Sequence, residues 1–127
     1  MHRSRLAALV IDCKTDDLPG AAAFWGGALG MAVKPPKSVA GEENYLDLEA
    51  KPGQPEILLQ KVEHDSRVHL DIESDDVEAE VKRLEGLGAK RVAQIRDWWV
   101  LEAPSGQRFC VVPPQRGDFP EGANEWP

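Results

Sequence analysis

The sequence predicts an α+β fold: two tandem βαβββ modules forming a cupped mixed sheet, with the helices on its outer face. Three observations carry that prediction. The order strand, helix, strand, strand, strand can be read twice along the chain. Both helices run into a Leu-Gly pair, Leu29-Gly30 and Leu87-Gly88, the usual chemistry of a helix stop. Short phrases also recur in one order. Ala28-Leu29-Gly30 matches Gly86-Leu87-Gly88 at an offset of 58. Leu48-Glu49-Ala50 with Gly53-Gln54 matches Leu101-Glu102-Ala103 with Gly106-Gln107 at 53, and Ile11-Asp12 matches Ile72-Glu73 at 61. A repeat of this kind implies units that do not close a core alone. The modules are expected at about residues 5–63 and 66–114 of a single domain, with an irregular tail over 115–127.

In the first module Leu6–Cys13 is a nearly continuous apolar run, the pattern of a buried strand. Asp16 or Asp17 offers an N-cap, and Pro19 suits a first helical turn. Leu18, Ala22, Trp25 and Leu29 are spaced 4, 3 and 4, so they form one helical stripe expected to cover Ala7, Leu9 and Ile11. Met31–Val33 starts a strand, and Pro35–Glu43 is a breaker-rich loop that suits either a lid or ordinary surface. Tyr45–Glu49 and Glu56–Val62 are strands joined by the turn Lys51–Gln54.

The second module opens with a strand from Arg67, where Val68, Leu70 and Ile72 alternate with His69, Asp71 and Glu73. Asp75 is the expected N-cap, with Glu78 as its capping-box partner. The helix stripe Val77, Val81, Leu84 and Leu87 is expected to cover Val68, Leu70 and Ile72. Strands follow at Lys90–Gln94, Trp98–Glu102 and Arg108–Val112, the last two joined by the turn Pro104–Gln107. Beyond Pro113 the chain is rich in Pro, Gly and charge, with Phe119 or Trp126 available to pin it.

Composition excludes several functions. The formal charge of −7 disfavours a nucleic-acid or anionic-membrane partner. No apolar run reaches the roughly 18–20 residues of a membrane span, and no secretory signal is evident. Cys13 and Cys110 lie far apart in apolar strand contexts, which reads as two free thiols and a cytoplasmic home.

Helices on one side leave the other side of each sheet open, and a curled open face is a place for a small-molecule ligand. His69 points where Asp71 and Glu73 point. It is either a partly solvated histidine paired with an acid or a ligand contact or general base tuned by Asp71. Trp98 and Trp99 are consecutive, so one faces the helix and the other the cup or an interface. Tyr45 is the counterpart of Trp98. Glu49 and Glu102 are counterparts at strand ends, where a solvated turn position competes with a ligand contact. Cys110 is a buried small residue or a nucleophile, with no second histidine at a recognisable spacing to favour the latter.

The phrases AAAFWGGALGM and HLDIESDDVEAEVKRLEGLGA, and the closing hairpin LEAPSGQRFCVVPP, resemble the vicinal oxygen chelate superfamily. That superfamily includes glyoxalase I, extradiol dioxygenases and bleomycin- and fosfomycin-resistance proteins. The VIDC opening and the Phe24-Trp25 pair look most like its glyoxalase-like branch, common in bacteria. The resemblance covers residues 5–114. It implies metal-ligand positions near Leu6, at Leu58–Gln60, at His69 and at Cys110, of which only Gln60, His69 and Cys110 carry donors. Hard divalent ions want five or six oxygen or nitrogen donors, so no cofactor is expected and a divalent metal is disfavoured.

Two functions follow from the resemblance. One is a metal-independent protein that binds or sequesters a small organic ligand, with Tyr45, Gln60, Trp98, Trp99, Glu102 and Cys110 as its contacts. The other is a lyase, isomerase or dioxygenase-type enzyme, with an atypical metal set or with metal-free acid/base chemistry at His69 and Asp71. A structural or regulatory dimer with a vestigial cup is the third and weakest reading. Exposed edge strands also suggest a homodimer.

Overall fold

A computed structural model of the chain describes residues 1–38 and 41–127. It divides into two compact units, Ala8–Val68 (the first unit) and Met1–Ala7 with His69–Pro127 (the second unit). The elements in order are β1 (His2–Cys13), α1 (Leu18–Leu29), β2 (Tyr45–Leu48), β3 (Glu56–Lys61), β4 (Arg67–Ser74), α2 (Val77–Gly86), β5 (Lys90–Ile95), β6 (Trp98–Glu102), β7 (Arg108–Val112) and β8 (Asn124–Trp126). Parallel pairs (β1 with β3, β4 with β7) mix with antiparallel hairpins (β2 with β3, β5 with β6, β6 with β7), so the fold class is α+β with mixed strand pairing.

In the first unit β1 sits beside β3, and β3 beside β2. The registers Ile11↔Leu59 and Leu46↔Leu59 put alternate residues of three strands on one face. That face meets α1: Cys13, Leu18, Ala22, Leu46, Leu48, Ile57 and Leu59 form its core, with Leu9, Ile11 and Trp25 packed against it. Fully burying each of its Leu and Ile side chains contributes about 1.5–3 kcal/mol. The helix begins where the sequence places it, because Asp17 accepts a hydrogen bond from Gly20 N at 3.0 Å and Pro19 occupies the first turn. It ends at Gly30, whose φ of 66° lies in the left-handed region that favours glycine. Leu29, at the end of the predicted stripe, is 40% exposed. Met31–Val33 does not form a strand; a single bridge, Val33 to Leu48, stands in its place. The predicted loop follows, though Val39 and Ala40 lie outside the described residues, and Lys37 ties it to Glu42 and Asp47.

In the second unit the neighbours run β4, β7, β6, β5. The register Ile72↔Val111 and the pairs Trp99↔Val111 and Leu101↔Phe109 define the face covered by α2, with Val81, Leu101 and Val111 fully buried at its centre. The expectation that α2 covers Val68 and Leu70 is corrected, since they are 59% and 44% exposed. The helix lies over β5 to β7 instead and leaves the start of β4 uncovered. Leu87 also leaves the predicted stripe, 67% exposed just past the end of α2.

The N-cap of α2 is Asp76, which accepts from Ala79 N at 3.0 Å, and not Asp75. Strand β4 runs one residue further than its alternation implies, and Asp75 is taken by β1, accepting from Arg3 N at 2.7 Å. The predicted capping box is therefore out of step, and Glu78 pairs with Arg91 at 2.7 Å.

The tail is the other correction. Residues 124–126 form β8, antiparallel to the start of β1, which begins at His2 and not at Leu6. Trp126 Nε1 donates to Ser4 Oγ at 2.8 Å and the Arg83 guanidinium lies 3.8 Å over its ring, while Arg5 covers Phe119 at 5.2 Å. Among the described residues no helix is long and apolar enough to cross a membrane.

Candidate functional site

Strand periodicity assigns the side chains of the second unit to two faces. On β4, Ile72 turns toward α2, so His69, Asp71 and Glu73 occupy the opposite face. Parallel pairing sets Asp71 beside Cys110 and Glu73 beside Val112 on β7. Antiparallel pairing then sets Val100 beside Cys110, and Trp98, two residues earlier on β6, shares that face. Trp99 turns to the helix side, where it packs against the core and lies 4.8 Å under the Arg91 guanidinium. The two tryptophans thus divide between the faces as their adjacency predicts.

His69 Nε2 lies 3.3 Å from Asp71 Oδ1, with side chains 13% and 18% exposed. That oxygen is buried and makes no well-aligned hydrogen bond. A ring nitrogen of His69, a carboxylate oxygen of Asp71 and Cys110 Sγ all fall within 4.8 Å of one another. Sequence spacing hides this trio, because 41 residues separate His69 from Cys110 and only the β4–β7 register joins them.

Glu73, on the same face, is tied up. It is fully buried, receives Arg5 Nε at 2.7 Å, and accepts from Gln115 N at 2.6 Å and Arg116 N at 3.1 Å. Arg5 also donates to Asp118 at 2.7 Å and to the Glu121 carbonyl. Burial works against the Arg5 charge, but Glu73 and Asp118 outweigh it and raise its pKa. Arg5 in turn is the main cause holding Asp118 below its ordinary value. The sequence does not single out Arg5 or Glu80: β1 also carries Arg3 and Asp12, and α2 carries Glu78, Lys82, Arg83 and Glu85, so only tertiary burial separates these two from their charged neighbours. Glu80 is buried, receives Arg83 at 2.8 Å, and lies 2.8 Å from His2 Nε2. Its burial favours the neutral acid, yet hydrogen bonds from Arg83, His2 and Ser4 prevail and lower its pKa.

Tyr45 and Gln60 belong to the first unit, where Gln60 Nε2 donates to Tyr45 Oη at 2.9 Å on the face opposite α1. Buried Asp12 shares that face and lies 3.8 Å from Arg67 and 3.9 Å from His64, both half-exposed. Glu102 pairs with Arg108 across the β6–β7 hairpin at 3.8 Å, and both are about 40% exposed, the geometry of a solvated strand end.

The register permits a closer comparison of the modules. Val10 pairs with Leu58 on β1 and β3 as Asp71 pairs with Cys110 on β4 and β7. His69, Asp71 and Cys110 therefore correspond to Ala8, Val10 and Leu58. The family-type position expected near Leu6 falls at Ala8, which cannot ligate either. A hard-ion set of five or six oxygen and nitrogen donors is not what these residues offer. His69, Asp71 and Cys110 are one imidazole, one carboxylate and one thiol, donors of the kind that suit zinc. The chain does not fit the superfamily's catalytic metal.

Both thiols are free, and they differ. Cys13 is buried among the α1 core, where burial and the Asp12 charge push its pKa up. Cys110 is partly exposed on the other kind of face.

No curated protein matches the chain. Among solved structures, a hypothetical protein from Bacillus halodurans C-125 superposes with a TM-score of 0.60 at 14% identity, covering 91% of this chain and 99% of that one. The methylmalonyl-CoA epimerase of Mycobacterium tuberculosis superposes with a TM-score of 0.56 at 16% identity, covering 87% and 88%. At such identities the likeness speaks for the fold. The model of the glyoxalase-like domain matches residues 8–112, nearly the whole of both modules. The chain belongs to the glyoxalase-like domain family.

Proposed function

We propose that the protein binds a small organic ligand on the face of the second unit opposite α2, without the superfamily's full metal set. The observation that carries this reading is the His69–Asp71 pair at 3.3 Å, set among Cys110, Val100 and Trp98 on one face. An imidazole, a carboxylate and an indole beside apolar surface are the ingredients of an organic ligand site: a few polar groups for orientation and an aromatic body for contact. Two free thiols fit a reducing compartment such as the cytoplasm.

Native mass spectrometry on protein purified without added metal tests the reading. A co-purifying organic molecule is expected, lost in Trp98→Ala and His69→Ala. Elemental analysis of the same sample is expected to find no stoichiometric divalent ion. An ion present at one per chain and lost in His69→Ala would overturn the metal-free form of the proposal.

The His69–Asp71 contact also favours a second reading, metal-free acid/base chemistry of the lyase or isomerase kind. In it His69 takes a proton from the bound molecule and Asp71 stabilises the imidazolium. A His69→Ala variant that turns over an identified substrate normally would end that reading.

A further inference from the structure

We propose that the outward face of α1 is a self-association surface, on which a second copy of this chain packs its own α1 antiparallel about a two-fold axis. The helix and the charges that flank it all belong to the first unit, so the proposal stands independently of the ligand face.

The first support is the composition of that face. Helix α1 reads LPGAAAFWGGAL and carries no charged, hydroxyl or amide side chain. Its inner residues Leu18, Ala22 and Gly26 are buried, and Trp25 packs on the same core. At about 100° per residue the opposite stripe is Gly20, Ala23, Phe24 and Gly27, all exposed. Phe24 is 65% exposed, its ring edge-on to Trp25 with 5.2 Å between centroids. A helix on a solvated surface ordinarily turns charge outward, as α2 does with Glu78, Lys82 and Glu85. One that is apolar on every side is ordinarily covered on every side.

The second support is charge, and it selects the occupant. Asp16 and Asp17 precede the helix, and the exposed Lys51 lies at its other end, its Nζ 3.8 Å from the position of a Cβ on Gly30. Two copies packed antiparallel bring the acidic end of each helix to the basic end of the other, with apolar stripe on apolar stripe. A two-fold interface requires that kind of self-complementarity. A lipid surface fits less well, since interfacial helices carry a basic polar face and α1 has no polar face.

The third support is Gly27. A Cβ on Gly26 would meet the Met31 carbonyl oxygen at 2.8 Å, so this chain's own packing calls for that glycine. A Cβ on Gly27 would meet nothing within 4 Å among the described residues, although a mid-helix glycine weakens a helix relative to alanine. A partner helix gives it a use. With Gly20 and Ala23 it lets two backbones reach the short end of the roughly 8–10 Å range of interaxial distances.

The strand edges offer less. Residues 32–34 take the outer edge of β2, where Lys34 N donates to Asp47 O at 2.9 Å and Glu49 N to Ala32 O at 2.7 Å. Strand β5 is bulged between Arg91 and Ala93, which blunts an edge. A 12-residue helix is only about 18 Å long, so the interface is small and the dimer exchanges with monomer.

Sedimentation velocity of the full chain from about 2 to 500 µM tests this, with a dissociation constant of roughly 10–100 µM expected. Phe24→Glu and Gly27→Leu, both on open surface, should each weaken the dimer more than about tenfold and leave the urea midpoint of the monomer in place. Asp16→Lys and Lys51→Glu should each weaken it about threefold to tenfold, and the two combined should return it to within about twofold of wild type. Val92→Glu, at an exposed position of β5, should change nothing. A dimer untouched by Phe24→Glu or broken by Val92→Glu overturns the proposal. So does a monomer at every concentration, and co-sedimentation of that monomer with phosphatidylcholine vesicles would assign the face to lipid instead. If Phe24→Glu and Gly27→Leu fail to fold, the charge exchange decides: no restoration in the combined variant overturns the antiparallel pair.

Discussion

The two units pair their strands alike and differ in what they place on the face away from the helix. In the first, β1 offers Ala8, Val10 and Asp12 in the positions where β4 of the second offers His69, Asp71 and Glu73. The last position holds a buried acid in both, and both acids face arginine: Asp12 lies 3.8 Å from Arg67, and Glu73 lies 2.7 Å from Arg5. The other two positions are apolar in one unit and ionisable in the other. The acid at the strand end is thus common to both modules, and the His69–Asp71 pair belongs to the second unit alone.

The largest expected effect separates the two acids. Glu73→Ala removes a fully buried partner from buried Arg5 and should cost about 3–5 kcal/mol in urea denaturation. Asp12→Ala takes a partner from Arg67 and His64, both half-exposed, and should cost about 1–3 kcal/mol. Equal losses would break the claim that the burial of the partner sets the difference.

The cores should instead behave alike. Leu48 and Leu101 are counterparts, 1% and 0% exposed, and Leu→Ala at either should cost about 2–5 kcal/mol, with the two within about 1 kcal/mol of each other. A clear asymmetry in their unfolding midpoints would show that one module is the weaker half.

Acid should act on the second unit. Helix α1 has no ionisable side chain, whereas α2 buries Glu80. The folded pKa of Glu80 lies below its ordinary 4.5, so the unfolded chain binds the proton more readily. Its contribution is therefore complete above the ordinary value and lost as the pH falls through the folded one. Glu80→Gln should lower stability at pH 7 by about 1–2 kcal/mol and flatten the decline below pH 4.5, as seen in Tm against pH.

The smallest effect compares the helix stops. Gly30→Ala places a Cβ at φ 66° with only Lys51 Nζ nearby at 3.8 Å, and should cost about 1 kcal/mol. Gly88→Ala does so at φ 106° against Pro104 Cγ at 3.0 Å, and should cost more. The order of the two Tm values checks it.

Local chemistry made much of this legible. Asp17, Pro19 and Gly30 bound α1 because caps and breakers act within a few residues. The hairpin at Gly106 and the free thiols are local in the same way. Alternation along β4 put His69 and Asp71 on one face, since strand periodicity has no other solution. Where neighbours competed for a residue, local rules fell short. Asp75 caps like Asp76 in sequence, yet the β1 backbone claims it. Val68 and Leu70 alternate like core residues, but the extent of α2 decides what is covered. The tail is compositionally a coil, and β8 forms because β1 offers an edge and Arg83 and Ser4 hold Trp126.

By itself, then, the sequence determined the repeat, the α+β class and the faces of each strand, all consequences of short-range periodicity and capping. Only tertiary structure decided that Cys110 stands beside Asp71 and His69, that Glu73 is occupied by Arg5, and that the first unit's matching positions are Ala8, Val10 and Leu58. The physical reason is register. Parallel pairing joins residues tens of positions apart, and a shift of one residue would turn every side chain to the other face.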